Sequence, residues 1–201
     1  MSPTIYLFRH GQTEFNAERR LQGRIDSPLT PLGRHQARRY GEMLRGRIDP
    51  SDLAIFASPL GRVRETTDLL MTAAGLADEV LFDDRLMELS LGQWEGLTIE
   101  DIDALWPGAL DGLDRNEWLF MSPGGETYED VVQRVTPALA QIEACGAATC
   151  LIVSHGVTGR VLRGVHGSLP RETAIRLETP QDAFFRLTPE GCERISCDER
   201  A

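Results

Sequence analysis

Thr4-Ile5-Tyr6-Leu7-Phe8-Arg9-His10-Gly11 begins as a compact run of β-branched and aromatic residues and ends in a cation, an imidazole and a glycine. Such a run makes a buried strand, and the residues after it mark the strand's carboxyl edge. A second run, Cys150-Leu151-Ile152-Val153, ends in the same way, in Ser154-His155-Gly156, with a helix expected from Val157. Between them, Leu53 to Ala57 and Val80 to Phe82 read as further strands. Thr30-Pro31 reads as N-cap and first residue of a helix carrying Leu32, Gln36, Tyr40, Met43 and Leu44 at helical spacing. Gly61 to Ala74 is a second helix, closed by Gly75. A third runs on from Thr127 with Val131, Val132, Val135, Leu139 and Ile142 on its apolar face. Phe184 to Leu187 and Arg194 to Ser196 pair through a turn at Pro189-Glu190-Gly191. Alternating strands and helices require crossover connections, which predicts an α/β fold: a three-layer α/β/α sandwich around a mostly parallel central sheet. The segment from Gly96 to Gly125 fits that scheme least. It holds one short helix capped by Thr98 and Asp101, then irregular chain rich in Gly, Pro and Trp, and reads as a cap or lid on a single domain spanning 1–201.

Composition narrows the chemistry. The 201 residues carry 31 acids against 21 bases, a net charge of −10, and every one of the bases is arginine. Without lysine there is no Schiff-base amine, no P-loop lysine and no kinase-type ATP lysine. An acidic chain is also poorly suited to tracking a phosphate backbone, so a nucleic-acid partner is not expected. Ile5 to Phe8 is too short for a signal core or a membrane span, so a cytoplasmic location and no membrane partner are expected. The cysteines fall as Cys145-x4-Cys150 and Cys192-x4-Cys197. That spacing is wide for structural zinc, and four small buried thiols are the plainer reading.

In a parallel sheet the site lies at the carboxyl ends of the strands. Two such ends carry His10 and His155, the first beside Arg9 and the second beside a helix N-terminus that favours anions. A third gives Ser58-Pro59-Leu60-Gly61-Arg62, and the next segment gives Glu88 within Leu86-Met87-Glu88-Leu89-Ser90. Two imidazoles, two arginines and a carboxylate therefore converge on one rim. In this order, with Thr13 and Asn16, Arg24 to Thr30, Ser58 to Thr66, Glu88 to Gly96 and Gly124-Gly125-Glu126, the chain resembles the histidine phosphatase superfamily, the phosphoglycerate mutase-like group, in its phosphatase-type branch.

The resemblance implies a phosphohistidine mechanism with no cofactor and no metal. It makes His10 the nucleophile and Glu88 the proton donor, and it puts Arg9, Arg62 and His155 in the phosphate pocket, with Asn16 and Gly156 as further phosphate contacts. Gln22 and Gly23 either line that pocket or shape a turn. Glu95 is the competing acid, and Arg64 reads as a surface ion-pair partner. A neutral His10 needs a hydrogen bond from its other nitrogen to a nearby backbone carbonyl. Relatives often carry Pro-Asn where this chain has Pro180-Gln181-Asp182, which questions a contact near that turn. In the cap the only cation is Arg115, set among six acids between Glu100 and Glu117. Such a cap is expected to hold a second phosphate poorly, favouring hydrolysis of a small phosphate ester over a mutase reaction. A noncatalytic phospho-ligand-binding module is the reading from another class, and oligomeric state is left open, a homodimer being one option.

Overall fold

The computed structural model describes residues 2–114 and 116–197. Its elements run β1 (Thr4–Arg9), α1 (Glu14–Ala17), α2 (Pro31–Leu44), β2 (Leu53–Ala57), α3 (Gly61–Ala74), β3 (Val80–Phe82), α4 (Ile99–Leu105) and α5 (Tyr128–Glu143). They continue with β4 (Thr149–Ser154), α6 (Gly156–His166), α7 (Arg171–Ala174), β5 (Ala183–Thr188) and β6 (Gly191–Ser196). One six-stranded sheet has the order β3-β2-β4-β1-β5-β6. Its first four strands are mutually parallel, and β5 and β6 add an antiparallel hairpin at one edge. The sandwich and the mostly parallel sheet read from the sequence are both present.

The alternation of β4 shows why the sheet needs cover on both faces. Cys150 and Ile152 join a core with α5, α6 and the Leu86 to Phe120 segment. Leu151 and Val153 face the opposite way, into a core with Tyr40 and Leu44 of α2 and Val63 and Leu70 of α3. A strand buried on both sides can read as a continuous apolar run.

Helix α2 departs from the expected face. Leu32 is 49% exposed, while Gly33, Ala37, Tyr40, Gly41 and Leu44 are buried. A Cβ built on Gly41 would lie 2.1 Å from the carbonyl oxygen of Leu70 in α3. The two helices touch backbone to backbone, so small residues fill the seam that larger apolar ones were expected to fill.

The cysteines also differ from expectation. Cys150 and Cys197 are buried, but Cys145 and Cys192 are exposed. Cys145 and Cys150 lie sulfur to sulfur at 3.5 Å, and burial pushes the Cys150 thiol up to about 12. No helix among the described residues is long and apolar enough to cross a membrane.

Candidate active site

β1 and β4 are adjacent, with Arg9 paired to Ser154, so His10 and His155 leave the sheet side by side. Their ring centroids are 5.3 Å apart. The chain after β1 is fixed by contact with the first turn of α2. A Cβ on Gly11 would meet the Gly33 carbonyl oxygen at 2.2 Å, and one on Gly33 would meet the Gln12 carbonyl oxygen at 2.0 Å. No side chain fits either position, which is the physical reason for glycine after His10. The Gly11 N–H donates to Thr66 Oγ1 at 3.1 Å, tying the same turn to α3.

His10 Nδ1 lies 2.8 Å from the Gly11 carbonyl oxygen. A carbonyl only accepts, so Nδ1 carries the proton and Nε2 keeps its lone pair. Burial above all, then the charges of Arg62 and Arg9, hold His10 well below the ordinary imidazole range. The same causes, with Arg62 again the foremost charge, hold His155 down. Both rings are therefore neutral near pH 7. His155 Nε2 sits 2.8 Å from Ser58 Oγ at the end of β2.

Arg62 is the second residue of α3, and its guanidinium is taken up by the loop from Gly23 to Asp26. It donates to the carbonyls of Gly23 at 2.7 Å and Ile25 at 3.0 Å and pairs with Asp26 at 3.2 Å. Gly23, with φ of +53°, is thus a turn residue that holds Arg62. Arg9 donates to the Thr179 carbonyl at 2.6 Å. Arg9 Nε, Arg62 Nε, Gln22 Nε2 and His155 Nδ1 are all buried without a partner among the described residues. Buried donors are rarely left unpaired, and a tetrahedral anion is the ligand that would satisfy several at once.

Glu88 and Glu95 separate clearly. Glu95 accepts from the N–H groups of Arg24 at 3.1 Å and Leu91 at 3.0 Å, bracing two loops. Glu88 lines a cavity of about 890 Å³ together with Arg9, Asn16, Gly156 and Gln181. It accepts N–H groups from Leu89 at 2.9 Å, Thr158 at 3.0 Å and Val157 at 3.1 Å, the last two from the first turn of α6. The Glu88 segment is braced from behind by Glu126 of the Gly-Gly-Glu motif, which accepts the Ser90 N–H at 2.8 Å and pairs with Arg134 at 2.8 Å. His10, Gln22, Arg62 and His155 are buried, at 1–7% exposure, and do not line that cavity themselves. His10 is linked to it by Gln181, whose Nε2 donates to the His10 carbonyl at 3.0 Å and to Asn16 Oδ1 at 3.2 Å.

Gln181 thus ties the turn after Pro180 to the end of β1. Its backbone carbonyl is held by the buried Tyr40 hydroxyl at 2.9 Å. Ser58, Thr66 and Thr158 are further positioning residues that motif reading did not assign. Arg64 donates to the Pro59 carbonyl at 2.7 Å and lies 3.8 Å over the Phe82 ring, a cation–π contact where an ion pair was expected, and it pairs with no carboxylate among the described residues.

The charge expectation drawn from the cap also changes. Arg115 lies outside the described residues, but Arg19, Arg20 and Arg160 all line the cavity from other elements. Cap composition is therefore a poor guide to the charge a substrate meets. From the 96–125 segment the cavity takes Ile99, Glu100, Asn116, Trp118 and Leu119. Trp118 packs 5.8 Å from the buried Trp94.

Two neighbouring histidines at the parallel strand ends of an α/β sandwich define the class. The model of the histidine phosphatase superfamily (branch 1) matches residues 5–195, and the chain belongs to that family. The chain is similar to the probable phosphoglycerate mutase GpmB of Salmonella choleraesuis, 38% identical over 184 residues, 91% of this chain and 83% of that protein. Among solved structures, Bacillus stearothermophilus YhfR superposes with a TM-score of 0.80 at 32% identity, covering 96% of this chain and 95% of that one. A mycobacterial glucosyl-3-phosphoglycerate phosphatase, Rv2419c, in complex with VO3, gives 0.79 at 32% identity, covering 97% of both chains.

Proposed function

We propose that the chain is a phosphomonoesterase for a small phosphate ester, working through a phosphohistidine on His10. The observation that carries this reading is the His10 ring, neutral, buried, and held at Nδ1 by the Gly11 carbonyl. Its Nε2 lone pair attacks phosphorus, the phosphorus–oxygen ester bond breaks, and Glu88 gives a proton to the leaving alkoxide. In the second half, Glu88 takes a proton from water, the water oxygen attacks phosphorus, and the phosphorus–nitrogen bond electrons return to Nε2. The protein's task in such a transfer is positioning and charge on the equatorial oxygens. Arg9 and Arg62 supply that charge and His155 a further hydrogen-bonding group, with Asn16, Gln22 and Gly156 beside them, and no metal is required by the scheme. The 96–125 segment serves as the cap of a single domain.

Hydrolysis is favoured because an 890 Å³ cavity beside Glu88 leaves room for the attacking water, and because a solved relative at 32% identity is named a phosphatase. A mutase is the second reading, supported by the cavity arginines and by the GpmB relative. The two separate in one assay with chelator present. Inorganic phosphate released from an aryl phosphate and from 3-phosphoglycerate is the expected result. Interconversion of 3- and 2-phosphoglycerate, stimulated by bisphosphoglycerate and faster than phosphate release, would overturn hydrolysis.

A further inference from the structure

Four arginines line the main cavity, and they are not equivalent. Arg9 belongs to the phosphate end. Arg20 is committed to the protein, pairing with Glu18 at 2.9 Å and Asp101 at 3.7 Å and donating to the Gly96 carbonyl at 2.9 Å. Arg160 is different. It is only 9% exposed, it has no carboxylate partner among the described residues, and its buried Nε makes no hydrogen bond among them.

Arg160 is nevertheless held in place. Its Nη1 donates to the Ile175 carbonyl at 2.6 Å and to Asn116 Oδ1 at 2.9 Å, so the end of α7 and the 96–125 segment grip it together. Its place on α6 is informative. Gly156, Val157 and Arg160 share one helix face and all line the cavity. A Cβ on Gly156 would lie 3.4 Å from Arg9 Nε and 3.7 Å from Glu88 Oε2, so Gly156 marks the reacting end. Arg160 stands one turn further along, about 5.4 Å of helix rise away. A desolvated, pre-positioned guanidinium with a spare donor is an anion site, since an unpaired buried cation is costly. Arg19, exposed and with φ of +60°, adds a cation at the mouth of the same cavity. Glu88 and Glu100 are the acids that line the same cavity.

We infer that Arg160 is the specificity residue of this site, and that it binds a second anionic group, a carboxylate or another phosphate, carried by the substrate a few bonds from the transferred phosphoryl group. This rests on the phosphoryl-transfer reading and narrows its substrate class to doubly anionic esters. Asn116 is a positioning residue, acting through Arg160.

The test compares two probes of one skeleton, 3-phosphooxypropanoate and 3-hydroxypropyl phosphate, which differ by carboxylate against hydroxymethyl. The native enzyme should favour the carboxylate in kcat/KM by roughly tenfold or more, the size of one charge-assisted hydrogen bond. Arg160→Gln should collapse that ratio towards one, chiefly through KM. Arg160→Lys should restore part of it, and Asn116→Ala should lower it by a smaller factor. A ratio near one in the native enzyme, or the same ratio in Arg160→Gln with its circular dichroism intact, would overturn the inference. Calorimetric titration of both probes reads the same preference without turnover. If neither probe releases phosphate yet the carboxylate binds tighter in an Arg160-dependent way, hydrolysis fails and the subsite stands.

Discussion

The strand ends Arg9-His10-Gly11 and Ser154-His155-Gly156 are register neighbours in the sheet, with Arg9 opposite Ser154, yet they hold their imidazoles in different ways. After β1 the chain turns against α2, and the carbonyl of Gly11 folds back on His10 Nδ1 at 2.8 Å. After β4 a helix starts at once, so the backbone N–H groups of Val157 and Thr158 go to Glu88, and His155 takes its partner from another strand end, Ser58 Oγ at 2.8 Å. One imidazole is fixed by its own turn with Nε2 left open. The other is fixed through Nε2, with Nδ1 unpartnered among the described residues. Similar tripeptides at parallel strand ends acquire different hydrogen-bond partners because a turn succeeds one strand and a helix the other.

The largest consequence concerns activity. On the proposed route His10→Ala should lower kcat for an aryl phosphate by at least about 10³-fold, since the group that forms the covalent bond is gone. His155→Ala, which removes a donor rather than the nucleophile, should lower it by roughly 10²-fold. Equal losses in steady-state kinetics would erase the distinction between the two strand ends.

Stability should show the opposite contrast between the two glycines. Gly11→Ala forces a Cβ to 2.2 Å from the Gly33 carbonyl oxygen, an overpacking that should cost about 3 kcal/mol in urea unfolding. Gly156→Ala meets nothing nearer than 3.4 Å, so it should change stability by less than about 1 kcal/mol while impairing catalysis beside Arg9 and Glu88. A Gly11→Ala protein as stable as the native one would contradict the packing described.

Acid should act on both ends together. Because burial and Arg62 hold His10 and His155 below the unfolded imidazole value, the unfolded chain binds more protons below pH ~6.5. The stability they contribute is therefore complete above that pH and lost as pH falls, at up to ~1.4 kcal/mol per pH unit for each ring. Urea midpoints from pH 8 to 5 test this, and His10→Gln should remove about half of the dependence. The smallest effect on activity is expected from Ser58→Ala, a modest fall with about 1 kcal/mol of stability, because the neutral hydrogen bond to His155 and a long one from the Leu60 N–H are lost.

Much of this was legible in the sequence because it depends on local pattern. The strands were readable from apolar runs, the caps at Thr30, Thr98 and Thr127 from residue type, and the convergence of His10, Arg62, Glu88 and His155 from strand-end placement. What escaped depends on contacts between distant segments. Gly33 and Gly41 carry no apolar signal, though α2 packs through them. Arg160 looks like any helical arginine until the end of α7 and Asn116 meet around it. Gln181 is 171 residues from His10 in the chain, and only the fold shows that its amide holds the His10 carbonyl. The cap's acidity misled for the same reason, since the cations facing the cavity arrive from α6 and from the turn at Arg19.

On the proposed route β1, and not β4, carries the covalent intermediate. Rapid denaturing quench during turnover of a ³²P-labelled ester, with peptide mapping of the quenched protein, tests it directly. An acid-labile, base-stable label is expected on the peptide containing His10, absent in His10→Ala and present in His155→Ala. Label on His155, or turnover of the His10→Ala protein at the native rate, would contradict it.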